Sequence, residues 1–512
     1  MNNDGVWTDI PLGIWGRRAM WRTYFDLKSD KRVTEIQDTN RVTIVEKNPS
    51  LGPGGAEASG TLTLIAEGTG ITGDLATNRL TDGIITSFTI EGDNGDSVAK
   101  ITIAGFDPQD AGLFYKNMKS IATDYDYVQS LLAGDTIASV APGSTGDATF
   151  DTGAGNDTVT GGTGDDFALK WQAGDLTFTG GRGSDTLEFS GLEETFTPPS
   201  GAVVNLTSGD GRNPYGGALR LRGVENVSGT TLADRLTGNG SDNALQGNGG
   251  GDRIFGKAGD DLISVRRDND GTTDLIVADG GAGRDEVTIS IITPFFPGFA
   301  GLSVLDLGTP SQSTGVFQAI RLVGFEAFVI AVNSPFGTPP PVEVRGSSAS
   351  ESVSMLGVSA DTLVGLGGDD VLSGNFGEDA LFGGAGRDTL SGGSDRDVLA
   401  GGLASDRFVF NDIGQAGLGA TRDLVTDFAA GQDLIDLREV SNFAAFGSPF
   451  SFIGQDGFSG EGGEIRYVLI NRAGTANDRT IIEIDRSTPG VIGMEIELVG
   501  LVELTEADFI LS

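Results

Sequence analysis

The sequence predicts an all-β fold dominated by parallel β-roll, a solenoid of short strands and tight turns arranged in several blocks. Three observations carry this. Glycine occurs 81 times in 512 residues, about twice the frequency of an average soluble protein or more. Apolar residues alternate with polar ones in many short runs rather than recurring at helical spacing. Asp361, Asp370, Asp379, Asp388, Asp397 and Asp406 follow one another at a constant nine-residue interval, which chance composition does not produce.

The strand of each repeat is marked by one large apolar residue two places after the aspartate: Leu363, Leu372, Leu381, Leu390, Leu399 and Phe408. Such a residue points inward from a strand only a few residues long. The turn is marked by glycine, which permits positive φ and close backbone approach; Gly383-Gly384-Ala385-Gly386-Arg387-Asp388-Thr389-Leu390-Ser391 shows the pattern in full. This is the G-G-x-G-x-D-x-U-x signature of a parallel β-helix that binds calcium. Two nonapeptides make one coil, so equivalent turns lie about 4.8 Å apart in space. Asp361 should stack near Asp379, Asp370 near Asp388, Asp379 near Asp397, and Asp388 near Asp406.

The stacking indicates a ligand. Carboxylates so close repel one another, and a ladder of them persists only with cations between successive turns. Aspartates and turn carbonyls offer only oxygen, the donor set of Ca²⁺ with its six to eight ligands and loose geometry. The predicted ligands are therefore Asp361, Asp370, Asp379, Asp388, Asp397 and Asp406, with turn positions Gly365, Gly367, Gly374, Gly383, Gly384, Gly386 and Gly392. A metal-free solenoid or a glycine-rich linker explains no aspartate at every ninth place. Two shorter blocks with irregular steps add Asp157, Asp166 and Asp185, then Asp242, Asp252, Asp261 and Asp285.

A larger duplication surrounds the later blocks. Val203-Val204-Asn205-Leu206 matches Val304-Leu305-Asp306-Leu307, and Ala218 to Glu225 matches Ala319 to Glu326, both at an offset of 101 residues. Glu225 and Glu326 are either ligands or structural residues at a coil junction. The expected organisation is residues 1–150 as an N-terminal β-rich domain, 151–190 as a first block and 191–288 as a strand module with the second block. Residues 289–409 form the duplicated module with the most regular block, and 410–512 a C-terminal β cap. Within 1–150, runs such as Thr61-Leu62-Thr63-Leu64-Ile65 suggest a β-sandwich or entry coils, with a short helix around Leu113 to Leu132. Trp7, Trp15 and Trp21 beside Arg17, Arg18 and Arg22 make either a docking surface or a capping strand.

The formal charge of −38, from 72 acidic and 34 basic residues, disfavours nucleic acid as a partner and favours cations. No cysteine or histidine is present, so disulfides, a Ser-His-Asp triad and a histidine-ligated zinc site are excluded. The sequence shows no signal-peptide pattern at Met1 to Trp7 and no apolar run of membrane-spanning length.

Residues from Asp361 to Phe410 resemble the RTX family, and looser likeness extends over most of 100–512. Asp423 to Phe428 and Gly431 to Leu437 are similar to the C-terminal domain of serralysin-type secreted proteins. The ending, Thr505 to Ser512, is similar to the uncleaved signal such proteins present to a type I secretion machine. The resemblance implies a secreted, extracellular or cell-surface protein with the type I machinery as partner. Asp485-Arg486-Ser487-Thr488-Pro489-Gly490 stands where relatives often carry a glycine- and aspartate-rich loop, and the H-E-x-x-H protease helix is absent. The expected role is non-enzymatic: surface-layer subunit, matrix component or adhesin, with itself or a surface glycan as partner. The alternative is a polysaccharide-acting hydrolase or lyase using carboxylates.

Overall fold

A strand whose inward positions alternate leucine and glycine can pack against its neighbours only in thin, closely spaced layers. In the computed structural model the strand Thr362–Gly367 turns Leu363 and Gly365 inward and Val364 outward. Leu363, Leu381 and Leu399 stack at i and i+18 with 0% exposure on one side of the roll. Leu372, Leu390 and Phe408, all buried, stack likewise on the other. Each such side chain contributes about 1.5–3 kcal/mol by leaving water, and the column replaces the broad core of a globular domain.

The structure describes residues 147–512 apart from 190–197, 269–273, 293–302, 310–311, 315–316, 318–319, 334–338, 442–449, 461, 472–476, 486–491 and 512; before 147 it describes backbone strands only. The tryptophan-arginine cluster and the helix expected near Leu113 to Leu132 lie outside the described residues. Two units are distinguished, Met1–Asn239 and Gly240–Ser512.

In the first unit, Arg32–Asp38, Arg41–Lys47, Thr61–Asp74, Arg79–Glu91 and Ser97–Phe106 form an antiparallel succession. Ser97–Phe106 then pairs with Thr136–Ser139. That strand changes the topology, because its other edge pairs in parallel with Asp157–Thr160. From there the roll continues in parallel, Asp157–Thr160 with Leu176–Thr179 and Phe167–Leu169 with Thr186–Glu188. An antiparallel insertion, Val203–Asn205, Asp210–Arg212 and Ala218–Arg222, interrupts it.

In the second unit parallel pairing runs through Leu262–Asp268, Glu286–Ile292, Ala327–Asn333, Ser352–Met355, Val371–Phe376 and Thr389–Ser394. The opposite side runs from Ser303–Asp306 through Val342–Arg345 to Thr362–Gly367, Ala380–Ala385 and Val398–Leu403. An antiparallel sheet of Glu464–Ile470, Arg479–Asp485 and Ile492–Val499 closes the end, its last strand joining Asp423–Val425 in parallel. Phe509–Ile510 adds beside Leu434–Asp436, so the C-terminal segment forms a rung of the same sheet. Among the described residues no helix is long and apolar enough to cross a membrane.

The duplicated segments play equivalent parts. Ala218–Arg222 and Ile320–Val323 each end at a left-handed glycine, Gly223 or Gly324. Glu225 then accepts the Asp185 N–H at 3.0 Å and Glu326 the Asp285 N–H at 2.8 Å. At a coil junction both glutamates thus hold the ladder position that aspartate holds at residues 379–406.

Candidate metal centre

The turns of the roll are tied together by their aspartates. The Asp361 N–H donates to Asp379 Oδ1 at 2.7 Å, and the next three rungs, Asp370 to Asp388, Asp379 to Asp397 and Asp388 to Asp406, repeat this at 2.8–2.9 Å. The expected pairs at eighteen residues are all present. One oxygen of each carboxylate is thereby committed to backbone. The other, Oδ2, is buried and has no hydrogen-bond partner at Asp370, Asp379, Asp388, Asp397 and Asp406. Buried polar atoms rarely lack partners, and five such oxygens in succession form a donor set for a cation.

The glycines show where that ligand belongs. A Cβ placed on Gly383 would lie 2.4 Å from Asp388 Oδ2 and 2.6 Å from the Gly401 carbonyl oxygen. The same pair of oxygens, one from the repeat's own aspartate and one from the next coil's carbonyl, surrounds Gly365 and Gly374, and Gly392 lies 2.1 Å from Asp397 Oδ2 by the same measure. The turn proper is made by Gly384 and Gly386, at φ of 112° and 138°. Gly367 meets no closer neighbour than 3.6 Å and is not part of this cradle.

Electrostatics agree. Burial, the largest cause, raises Asp379 and Asp397 to about 7 and Asp406 to about 6, and neighbouring carboxylates add to the rise. A divalent cation at the cradle removes both penalties. Orphaned carboxylate oxygens beside carbonyls form an all-oxygen donor set that fits Ca²⁺, and not a metal requiring nitrogen or sulfur. Among the described residues no group of three or more acidic side chains gathers around one point, so carbonyls must complete each shell.

The other predicted positions divide. Asp185, Asp261 and Asp285 carry the same orphaned Oδ2, with Asp185 and Asp261 raised to about 6 chiefly by burial. Asp252 is fully buried, its Oδ2 2.1 Å from where a Gly247 Cβ would lie. Asp166 accepts backbone N–H groups at both oxygens, from Ala148 and Gly162. Asp361 receives the Val342 N–H at Oδ1 and the Ser359 hydroxyl at Oδ2, so it caps the start of the ladder.

Two predicted ligands are corrected. Asp242 is exposed and accepts the Asp260 N–H; Asn243, one place later, holds the buried register and donates to Asp261 Oδ1 at 2.8 Å. Asp157 is buried in register, but its Oδ2 is taken by Lys170 Nζ at 2.6 Å. Neither fits the cradle found at residues 365–406.

Sequence reasoning missed two continuations and a second ladder. Asp423 Oδ1 accepts the Asp397 N–H at 2.8 Å while its Oδ2 is buried without a partner, and burial raises its pKa to about 8. Asp433 accepts from Asp406 and Ala429. The interval from Asp406 is no longer nine, because the segment Asn411–Arg422 carries extra residues; the motif Asp423-Leu424-Val425 was the available signal. The second ladder is exposed: Asp369 Oδ1 accepts the Arg387 N–H, and Asp165 and Asp260 act alike toward Ser184 and Arg284.

Comparison with known proteins agrees with this geometry. Residues 350–511 match the model of the peptidase M10 serralysin C-terminal family, and residues 142–168 and 228–263 match the RTX calcium-binding nonapeptide repeat. No curated protein matches significantly. A solved subunit of the mannuronan C5-epimerase from Azotobacter vinelandii is 23% identical over 34% of this chain and 81% of that one, with a TM-score of 0.19. Residues 142–168 and 228–263 thus carry RTX calcium-binding repeats and residues 350–511 a serralysin-type C-terminal domain, and together they mark a secreted, calcium-binding protein.

Proposed function

We propose that the protein has a structural or binding role at the cell surface or outside the cell, as a surface-layer subunit, matrix component or adhesin, and that calcium makes its roll rigid enough to associate with a second copy. One observation carries this reading. The outward face of Thr362–Gly367, Ala380–Ala385 and Val398–Leu403 presents Val364, Leu366, Ala380, Phe382, Val398 and Ala400. Leu366 is 53% and Phe382 40% exposed, with Leu403 at 70% beside them. The other sheet is more mixed, turning out Ser373, Asn375, Thr389, Ser391 and Arg407 together with Val371 and Phe376.

An apolar face on so acidic a chain is the kind of patch that marks an interaction site. Leu366 strengthens the argument, because it holds φ at 74° where Gly384, Gly393 and Gly402 occupy the equivalent turn positions. A left-handed leucine costs roughly 1–2 kcal/mol, and half-exposed it recovers little of that within its own chain. Sedimentation of the full chain in millimolar calcium tests the reading: association should rise with protein concentration and weaken in Phe382→Ser. A monomer over a broad concentration range contradicts it.

A further inference from the structure

Lys170 stands where a repeat opens, a position held by glycine at Gly161 before it and Gly180 after it. At those glycines a Cβ would lie 2.1 and 2.2 Å from Oδ2 of the turn's own aspartate, Asp166 or Asp185. A side chain is admitted at 170 because its own turn has no such acid: Leu176 is paired with Asp157 in the parallel register. The lysine runs back to the preceding turn. There Nζ donates to the Gly153 carbonyl at 3.0 Å, the Gly155 carbonyl at 2.9 Å and Asp157 Oδ2 at 2.6 Å. An ammonium has three protons to donate, and three oxygens receive them.

Lys170 and Asp157 side chains are both 0% exposed. Burying an ammonium costs several kcal/mol unless excellent partners surround it. Two turn carbonyls and an aspartate oxygen are the kind of donors that the cradles of residues 365–406 offer to a divalent ion. The two carbonyl contacts, at 3.0 and 2.9 Å, are longer than the about 2.3–2.6 Å of calcium–oxygen bonds, and the 2.6 Å contact to Asp157 Oδ2 is a short charge-assisted hydrogen bond. Charge also balances, one carboxylate facing one lysine with leucine in place of the second acid.

We propose that Lys170 is a built-in cation that takes the place of calcium in the first coil of the roll, so that this coil closes without metal. Its position gives the substitution a use. Asp157–Thr160 lies in register between Thr136–Ser139 and Leu176–Thr179, joining the antiparallel N-terminal strands to the parallel coils. A coil closed by its own lysine is a ready template on which calcium-dependent coils add, and it removes the loop-closure cost of the first one.

Hydrogen exchange of the full chain, read by mass spectrometry in chelator and in millimolar calcium, tests this. In chelator, amides of Asp157–Thr160 and Leu176–Thr179 should exchange at least about tenfold more slowly than those of Thr362–Gly367 and Ala380–Ala385. Lys170→Met keeps the stem and removes the charge; it should abolish that protection in chelator, and calcium should not restore it because the side chain still fills the cage. Lys170→Gly empties the cage, so protection should be lost in chelator and recovered in calcium. Equal exchange of the two regions in the wild-type chain overturns the proposal, and so does unchanged protection in Lys170→Met or a glycine variant that calcium does not restore. The wild-type comparison alone decides if the variants fail to accumulate.

Discussion

The coil around Asp157 and the coils between Asp361 and Asp406 have the same backbone plan and opposite ways of meeting a buried carboxylate. At Asp157 a lysine from the chain supplies the positive charge, and the neighbouring acid is replaced by Leu176. Between Asp370 and Asp406 every turn keeps its acid, leaves one buried oxygen without a partner and places a glycine against it. The difference lies in where the charge that answers a buried carboxylate comes from, the chain itself at Asp157 and solvent at the orphaned oxygens. Where the chain supplies it, stability is constitutive. Where solvent supplies it, folding becomes a response to calcium, and extracellular sites with dissociation constants of about 10⁻⁴ to 10⁻³ M stay empty at cytosolic calcium.

The comparison breaks most sharply at the cradle glycines. Gly383→Ala puts a methyl group 2.4 Å from Asp388 Oδ2 and 2.6 Å from the Gly401 carbonyl, and the backbone has no flexible side chain to yield. It should cost more than about 3 kcal/mol in the calcium-loaded state and remove at least one bound ion. Calcium stoichiometry by equilibrium dialysis and a thermal melt check this together; wild-type values for both would mean that the cradle is not a metal site.

Ladder position sets the next effect. Asp379→Ala removes an oxygen placed between two coils and should raise the midpoint of a calcium titration about threefold to tenfold, roughly 0.7–1.4 kcal/mol for the loss of one site. Asp361→Ala should shift it less, because Ser359 and Val342 already satisfy that carboxylate. The sequence alone would place the weak end at Asp406, but Asp406 is followed by Asp433. A larger shift for Asp361→Ala would contradict the assignment of its two oxygens.

Acidity offers a milder handle. Without calcium, burial raises Asp379 and Asp397 to about 7 and Asp423 to about 8, above the about 3.9 of an aspartate in an unfolded chain. The folded state then binds more protons than the unfolded state across that window, so the stability of the calcium-free roll falls as pH rises from about 4 to about 8. Metal-depleted protein should therefore gain β signal on acidification from pH about 7.5 to about 5, while calcium affinity falls. A pH-independent β signal in metal-free buffer would contradict the burial of these groups.

The smallest effect is expected on the exposed ladder. Asp369 and Arg387 pair at 2.9 Å, but their side chains are 49% and 73% exposed. Asp369→Asn should leave both the melting temperature and the calcium stoichiometry close to wild type. Loss of an ion in that variant would place metal on the outer ladder instead.

Much of this was legible in the sequence because the roll is local and periodic. Nine-residue spacing predicted the stacked pairs, and the apolar residue after each aspartate predicted the core column from Leu363 to Phe408. The rest depends on what periodicity cannot express. Asp423 joins the ladder only after extra residues within Asn411–Arg422 lengthen the step from Asp397 to 26 residues and carry the chain out of phase. Asp242 and Asn243 are adjacent polar residues, and only the burial of one separates their roles. Lys170 gave a signal, a lysine where glycine opens a repeat, but its meaning required seeing that Leu176 had vacated the space.

The central claim is that residues 361–409 fold because calcium fills the orphaned oxygens. At tenfold excess over its dissociation constant one site contributes about 1.4 kcal/mol. The five orphaned positions of this block then contribute on the order of 7 kcal/mol, comparable to the whole stability of a typical domain. Far-ultraviolet circular dichroism of the full chain during calcium titration, begun from chelated protein, tests it most directly. The account predicts a cooperative gain of β signal between about 10⁻⁴ and 10⁻³ M calcium, with a matching rise in melting temperature. A chelated sample with the same β signal and the same melting temperature as the calcium-loaded one would contradict it.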